Sequence, residues 1–332
     1  MTRHQVSAKD VAELAGVSRT AVSRAFTPGA SVSPETRAKV FSAAEQLGYQ
    51  VNNLARGLLT SKTGLVALIV AEMQTPYRAS LLAALSDQLQ SAGYVGLLIN
   101  TDRSDSSVAH ALRKAISYRT EAAIVLSGMP DTSLAETCLR NGMRLVLINR
   151  DEERPGALRV RLDDEMTGRQ AFSALAAAGC KRPAFASSKA GTPSLEGRCK
   201  GFRDAAAEAG CEVIEEASGM TSYQTGLDIG TRLLTRPDRP DGIFCATDLL
   251  ACGVMDSARR RFNLRVPDDI SIIGFDDIEQ ASWESYKLTT FRQPVDDIAK
   301  AAIGFLAERR DDMPHTITLN SRLVWRGSIK DS

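Results

Sequence analysis

Arg19, Thr20 and Arg24 offer the first chemistry in this sequence: two guanidinium forks and a hydroxyl inside the stretch DVAELAGVSRTAVSRAF, residues 10–26. Groups of these types read base edges and grip phosphates when a helix carries them into a DNA groove. The residues around them indicate how such a helix would be held. Gly16 supplies the positive backbone angle needed by a short turn between two helices, with Ser18 as the cap of the second. Ala12 then faces Val22 across the bend, and Leu14 and Phe26 are expected to provide the apolar contacts. This is helix-turn-helix logic, with Arg19 to Phe26 as the recognition helix. The same pattern also fits an ordinary helical hairpin with a solvated basic face.

The next segment, SVSPETRAKVFSAAEQLGY, adds a third helix over Ser33 to Leu47. Ser33 is its cap, Pro34 stands at the first helical position, Glu35 suits the positive end of the helix dipole, and Gly48 stops it. Val40, Ala44 and Leu47 fall on one face, enough to close a small core. Through DVAELAGVS, TAVSR, VSPETRAKV, LGY and LARGL, in register without a gap from about Val6 to Leu59, the sequence resembles the amino-terminal domain of the lactose and galactose repressor family. The resemblance implies a DNA-binding set of Ser18, Arg19, Thr20, Ser23 and Arg24.

Charge is distributed accordingly. Residues 1–62 hold eight Lys and Arg against four Asp and Glu, net +4, whereas the remaining 270 hold 33 against 36, net −3. Positive charge thus gathers where phosphates would be met. The start, MTRHQVSAKD, is polar and reads as no export signal, and no apolar run reaches membrane-spanning length, so a cytoplasmic protein with no membrane partner is expected. Six cysteines (Cys138, Cys180, Cys199, Cys211, Cys245 and Cys252) lack C-x-x-C spacing. They read as small apolar residues in a reducing compartment. His4, His110 and His315 are far apart, which argues against a metal site, and no cofactor is called for.

Beyond Lys62 short apolar runs alternate with helical-period segments: GLVALIV, YVGLLIN, AAIVLSG, RLVLINR, then RPAFASS, DGIFCAT and DISIIGFDD. Runs buried on both faces and separated by amphipathic helices indicate parallel sheets. Here too the sequence resembles the repressor family, in its effector core of the periplasmic-binding-protein type. The expected fold class is therefore an all-α helix-turn-helix domain (1–49), a hinge (50–62) and a two-lobed α/β effector and dimerisation domain (63–332). Lobe 1 is expected over about 63–162 and 291–320, and lobe 2 over about 163–290 and 321–332. The crossings fall at Leu162 to Asp164, Thr289 to Phe291 and Asn320 to Leu323.

Ligands in open α/β sheets sit beyond the carboxyl ends of the strands. Tyr77 and Arg78 follow the first strand of the core, Asp276 and Asp277 follow SIIGF, and Arg198 opens the helix after RPAFASS. By chemistry Arg198 could equally form a structural ion pair. The resemblance implies that Arg198 and Asp276 hold the effector, the arginine through its planar fork and the aspartate by accepting from hydroxyls. Tyr77 and Trp283 could present ring faces, with core or interface packing as the plainer reading of Trp283. Two departures from the family pattern matter. Arg78 stands where an aromatic residue is usual, which tilts the ligand toward an acidic or phosphorylated molecule unless that side chain faces solvent. Thr247 replaces a frequent asparagine before Asp248, weakening a second polar contact.

The hinge, NNLARGLLTSKT, has leucines at partly helical spacing, but Gly57 costs about 1 kcal/mol in a helix interior. So short a helix is marginal by itself. The resemblance implies that it folds on DNA with Leu58 wedged into the minor groove, where Asn52 and Arg56 can reach the groove or a phosphate. Taken together, these features predict a ligand-responsive regulator, chiefly a repressor of carbohydrate uptake or catabolism genes. It would bind a palindromic double-stranded operator as a homodimer and respond to a sugar or sugar acid. The absence of apolar heptads at the carboxyl end argues against a tetramer built through a terminal coil. A periplasmic-type solute-binding protein and an α/β enzyme remain as alternatives. The first would leave residues 6–59 without a use, and the second lacks a phosphate-cradling loop, metal-ligand spacing and a nucleophile-and-base pair.

Overall fold

The computed structural model describes residues 6–27, 29–52, 57, 62–102, 104–126, 132–150, 155–307 and 315–330. The chain divides into two compact units, 1–63 and 64–332.

The first unit holds α1 (Ala8–Ala15), α2 (Arg19–Ala25) and α3 (Pro34–Leu47). The Ser7 amide donates to Asp10 at 2.8 Å, closing the first turn of α1. Gly16 ends that helix at φ +64°, a left-handed angle that a side chain would strain. The Ser18 hydroxyl then accepts the Ala21 amide and Ser33 accepts that of Thr36, so both following helices start on side-chain caps. Val11, Ala12, Val22, Ala25, Val40, Ala43 and Ala44 form the core. Leu14, expected among the apolar contacts, is 52% exposed, because it lies on the flank of α1 away from the stripe of Ala8, Val11, Ala12 and Ala15. Phe26 does pack, edge-on to Phe41 and beside Tyr49.

The second unit is two parallel-sheet lobes. Lobe 1 contains β1 (Leu65–Val70), α4 (Pro76–Ser91), β2 (Val95–Asn100), α5 (Asp105–Ser117), β3 (Ala122–Val125), α6 (Thr132–Arg140), β4 (Arg144–Ile148) and β5 (Ala157–Leu162). Lobe 2 contains α7 (Asp164–Ala177), β6 (Pro183–Ser187), α8 (Pro193–Glu208), β7 (Ile214–Ala217), α9 (Tyr223–Thr235), β8 (Gly242–Cys245), α10 (Asp248–Asp256), β9 (Ser271–Asp276) and β10 (Thr289–Arg292). The chain then returns to lobe 1 for α11 (Val295–Ala307) and β11 (His315–Leu319), and crosses again to β12 (Arg322–Val324). The sheet orders are β11-β5-β4-β3-β1-β2 and β12-β10-β9-β8-β6-β7, with β12 antiparallel to β10. A chain of buried rings, Phe185, Phe202, Phe244, Phe275 and Phe291, fills lobe 2.

Two expectations change here. The middle crossing comes after Arg292 rather than at Thr289 to Phe291, since all of β10 pairs with β9 and Phe291 lies in the lobe 2 core. The run YVGLLIN does form a strand, β2, but at the sheet edge, where Val95 and Leu98 are 62% and 49% exposed. An edge strand has a neighbour on one side only, so an apolar run there need not mean burial.

Candidate functional site

In α2 the side chains of Val22 and Ala25 are buried, whereas Ser18, Arg19, Thr20, Ser23 and Arg24 are exposed. With 3.6 residues per turn, positions 19, 20, 23 and 24 share one side of the helix. This face carries two cations and two hydroxyls and is backed by a packed core. Asn52 is exposed. Arg56 and Leu58 lie outside the described residues.

The second site is a cleft between the two lobes. Its lining follows strand ends: Glu72 and Thr75 to Arg78 after β1, Asn149 and Arg150 after β4, Ala190, Thr192 and Arg198 after β6, Thr247 after β8, Asp276 at the end of β9 and Gln293 after β10. This is the position at which parallel sheets bind ligands. Gly201 sets α8, the bearer of Arg198, against α7. A Cβ on Gly201 would fall 1.9 Å from the Glu165 carbonyl oxygen.

Arg198 is buried, and its Nε donates to Asp164 at 2.9 Å and to the Ser194 carbonyl at 3.1 Å. Its Nη1 donates to the Ala246 carbonyl, and the guanidinium stacks 3.6 Å from the centre of the Phe275 ring. Arg198 is thus a structural ion-pair member, and its guanidinium also lines the cleft. Asp276 accepts from Gln293 Nε2 at 2.6 Å. Burial raises its carboxyl to about 7, against the pull of Arg198, Gln293 and Arg78. Asp277 is occupied elsewhere, accepting from Arg292 and Arg326 at 2.6 Å each.

On the lobe 1 side, Arg78 Nη1 donates to the Leu126 carbonyl at 2.8 Å and Arg150 Nη2 to the same oxygen at 3.2 Å. Two guanidiniums thus converge on one neutral acceptor, and Arg78 turns inward. Tyr77 lines the cleft and accepts from Asn149 Nδ2 at 3.3 Å, and burial pushes its phenol up to about 12. Asn149 Oδ1 and Gln293 Oε1 are buried acceptors with no hydrogen bond from the described residues. Thr247 lines the cleft while its hydroxyl caps α10, facing the Leu250 amide at 3.5 Å. Trp283 does not line the cleft; it is 47% exposed, and its carbonyl accepts the amides of Tyr286 and Lys287 in a turn.

Asn149, Arg150 and Gln293 were not singled out from sequence. RLVLINR ends on the first two, so the strand-end rule could have found them. Gln293 follows the displaced crossing.

An exposed basic recognition helix in one unit and a polar, arginine-rich cleft between two parallel-sheet lobes in the other define a ligand-responsive DNA-binding regulator. Residues 7–52 match the family described as bacterial regulatory proteins, lacI family, and residues 172–329 match the periplasmic binding protein-like domain. The chain is 30% identical over 329 residues to the HTH-type transcriptional repressor PurR of Photobacterium profundum, covering 97% of this chain and 98% of that one. It is 31% identical over 331 residues to catabolite control protein A of Priestia megaterium, covering 98% and 99%. Among solved structures it resembles the lac repressor dimer bound to operator and the anti-inducer ONPF (TM-score 0.89, 23% identity, 99% and 100% covered). It also resembles a transcriptional regulator CelR–cellobiose complex (TM-score 0.71, 26% identity, 98% and 100% covered). The chain belongs to the lacI family of bacterial regulatory proteins and is a DNA-binding transcriptional repressor with an effector domain, not an enzyme. Among the described residues no helix is long and apolar enough to cross a membrane.

Proposed function

We propose that this repressor is cytoplasmic, binds a near-palindromic operator as a homodimer, and responds to a small polyhydroxylated molecule that carries negative charge, such as an aldonate or uronate. The observation behind the effector reading is the hydrogen-bonding pattern of the cleft. Asp276, Asn149 Oδ1 and Gln293 Oε1 are acceptors and suit hydroxyl donors, while Arg78, Arg150 and Arg198, the last paired with Asp164, bring three guanidiniums to a small space that Glu72 also lines. Tyr77 is the aromatic ring in the lining, so a ligand stacked between two rings is less well served. The cellobiose held by the related CelR protein agrees with a hydroxylated ligand. The recognition set Ser18, Arg19, Thr20, Ser23 and Arg24, extended by Asn52, Arg56 and Leu58 of the hinge, would read the DNA.

Titration calorimetry of neutral sugars against their acids tests the effector. The expected result is binding of an acid, weakened at least tenfold by Arg78→Ala, which is a loss of about 1.4 kcal/mol or more. Tight binding of a neutral sugar that Arg78→Ala leaves unchanged would remove the charge argument.

A further inference from the structure

We propose that Asp248, which does not line the cleft, is a positioning residue that keeps its proton at neutral pH, so that Asp276 faces the ligand without a second buried negative charge beside it. The meaning for the ligand rests on the effector reading above, whereas the protonation does not.

Asp248 opens α10 and is completely buried. The Ile278 amide donates to its Oδ2 at 2.9 Å and the Thr290 hydroxyl to its Oδ1 at 2.5 Å. Neither partner is a cation, and a buried carboxylate without one is costly, so the group retains its proton instead. Its neighbours from other elements strengthen this. The β9 strand approaches so closely that a Cβ on Gly274 would fall 2.0 Å from Asp248 Oδ1, and that strand ends two residues later at Asp276. Asp277 adds a second acid, but it is bonded to Arg292 and Arg326. The thiols of Cys245 on β8 and Cys252 on α10 also sit in its field, both pushed up by burial and by Asp248. Arg198, a cation of the same lobe, is directed to Asp164 and to the Ala246 carbonyl.

The two acids therefore ionise in order. Arg198 and Arg78 favour the charged form of Asp276, which burial has raised to about 7. Burial and the Asp276 charge hold Asp248 at about 8. A ligand near pH 7 meets a partly ionised Asp276 and the Glu72 carboxyl group, while the uncharged Asp248 leaves the three cleft arginines one charge less opposed. With the proton on Oδ1 the hydroxyl contact reverses, Oδ1–H donating to Thr290 Oγ1, and asparagine reproduces this state, since its amide can donate to Thr290 and its oxygen accept from Ile278.

The test uses the full-length protein and no effector. Both tryptophans, Trp283 and Trp325, lie in or beside lobe 2 elements, so urea unfolding followed by their fluorescence reports on this lobe. Both acids are raised from an ordinary 3.8, so the folded chain holds protons that the unfolded chain has released. This contribution to wild-type stability is full below about pH 4 and is lost progressively as pH rises to about 7 for Asp276 and about 8 for Asp248, with no further loss above. Asp248→Asn removes the Asp248 share of this loss, so its urea midpoint falls less steeply than that of wild type between about pH 5 and 8. Asp276→Asn moves the Asp248 step to lower pH by removing a like charge. A decline between about pH 5 and 8 as steep in Asp248→Asn as in wild type overturns the proposal. Should Asp248→Asn fail to fold, infrared spectroscopy of the wild type decides. Because Asp276 also holds a proton near pH 7, the spectrum is compared at about pH 6 with that of Asp276→Asn: a protonated carboxyl band that persists in both supports the proposal, and a band that vanishes with Asp276 overturns it. Failure here leaves the calorimetric test of the effector untouched.

Discussion

At the scale of single residues, Arg198 serves two purposes that a simple alanine exchange cannot separate. Its guanidinium lines the cleft, yet it also bonds Asp164, whose side chain is only 11% exposed, and covers the Phe275 ring. Arg198→Ala withdraws that cation from a buried carboxylate, at a cost of about 3–5 kcal/mol. Urea unfolding should show that loss in lobe 2, and a change within 1 kcal/mol would mean that the ion pair contributes little. Asp276→Asn is the better probe of ligand contact, because it keeps shape and removes a charge that burial already disfavours. The sequence made Tyr77, Arg78, Arg198 and Asp276 legible because each sits where a strand has just ended or the next helix begins. Trp283 was misleading for a physical reason: a large ring in a loop suggests stacking, but the turn at Glu279–Ser282 leaves it facing outward. The orphan acceptors on Asn149 and Gln293 were beyond reach, since an amide's partners depend on neighbours from both lobes.

At the scale of elements, helix limits and strand runs were readable because caps and apolar periodicity are local. The packing of α7 on α8 was not. Gly201 looks like any interior helical glycine, a position that ordinarily gains from alanine, but here the Cβ would strike the backbone of α7 at Glu165. Backbone cannot rotate away, so α8 itself must shift. Gly201→Ala should therefore destabilise lobe 2 by about 1–3 kcal/mol. Because α8 carries Arg198, it should also weaken the effector response. Gly304 in α11 is the control: nothing lies within 4 Å of its Cβ position, and Gly304→Ala should stabilise by about 0.4–1 kcal/mol. Equal effects at the two glycines, measured by urea unfolding, would show that the close approach of α7 and α8 does not govern lobe 2. The position of β2 was likewise hidden, since VGLLIN reads the same at a sheet centre and at an edge.

At the scale of the whole molecule, that edge bears on assembly. β2 carries no charge and no proline, the usual protections of an open edge, and it exposes Val95 and Leu98. Beside it an apolar groove runs along α4, lined by Leu82, Ala83 and Tyr94 among others. An uncharged edge next to an apolar groove is costly to leave in water and is suited to a self-complementary contact. One chain offers one recognition helix, so a two-fold pair would place two on the half-sites of a symmetric operator. Binding of effector and of DNA would then influence each other by the same factor. Light scattering should give twice the 35.8 kDa chain mass for the wild type. Leu98→Glu would bury a charge opposite its own copy, so it should shift the protein toward monomer and lower operator affinity at least tenfold, while the lobes stay folded because this side chain is outside their cores. A Leu98→Glu protein that remains dimeric and keeps its operator affinity would place the contact on another face.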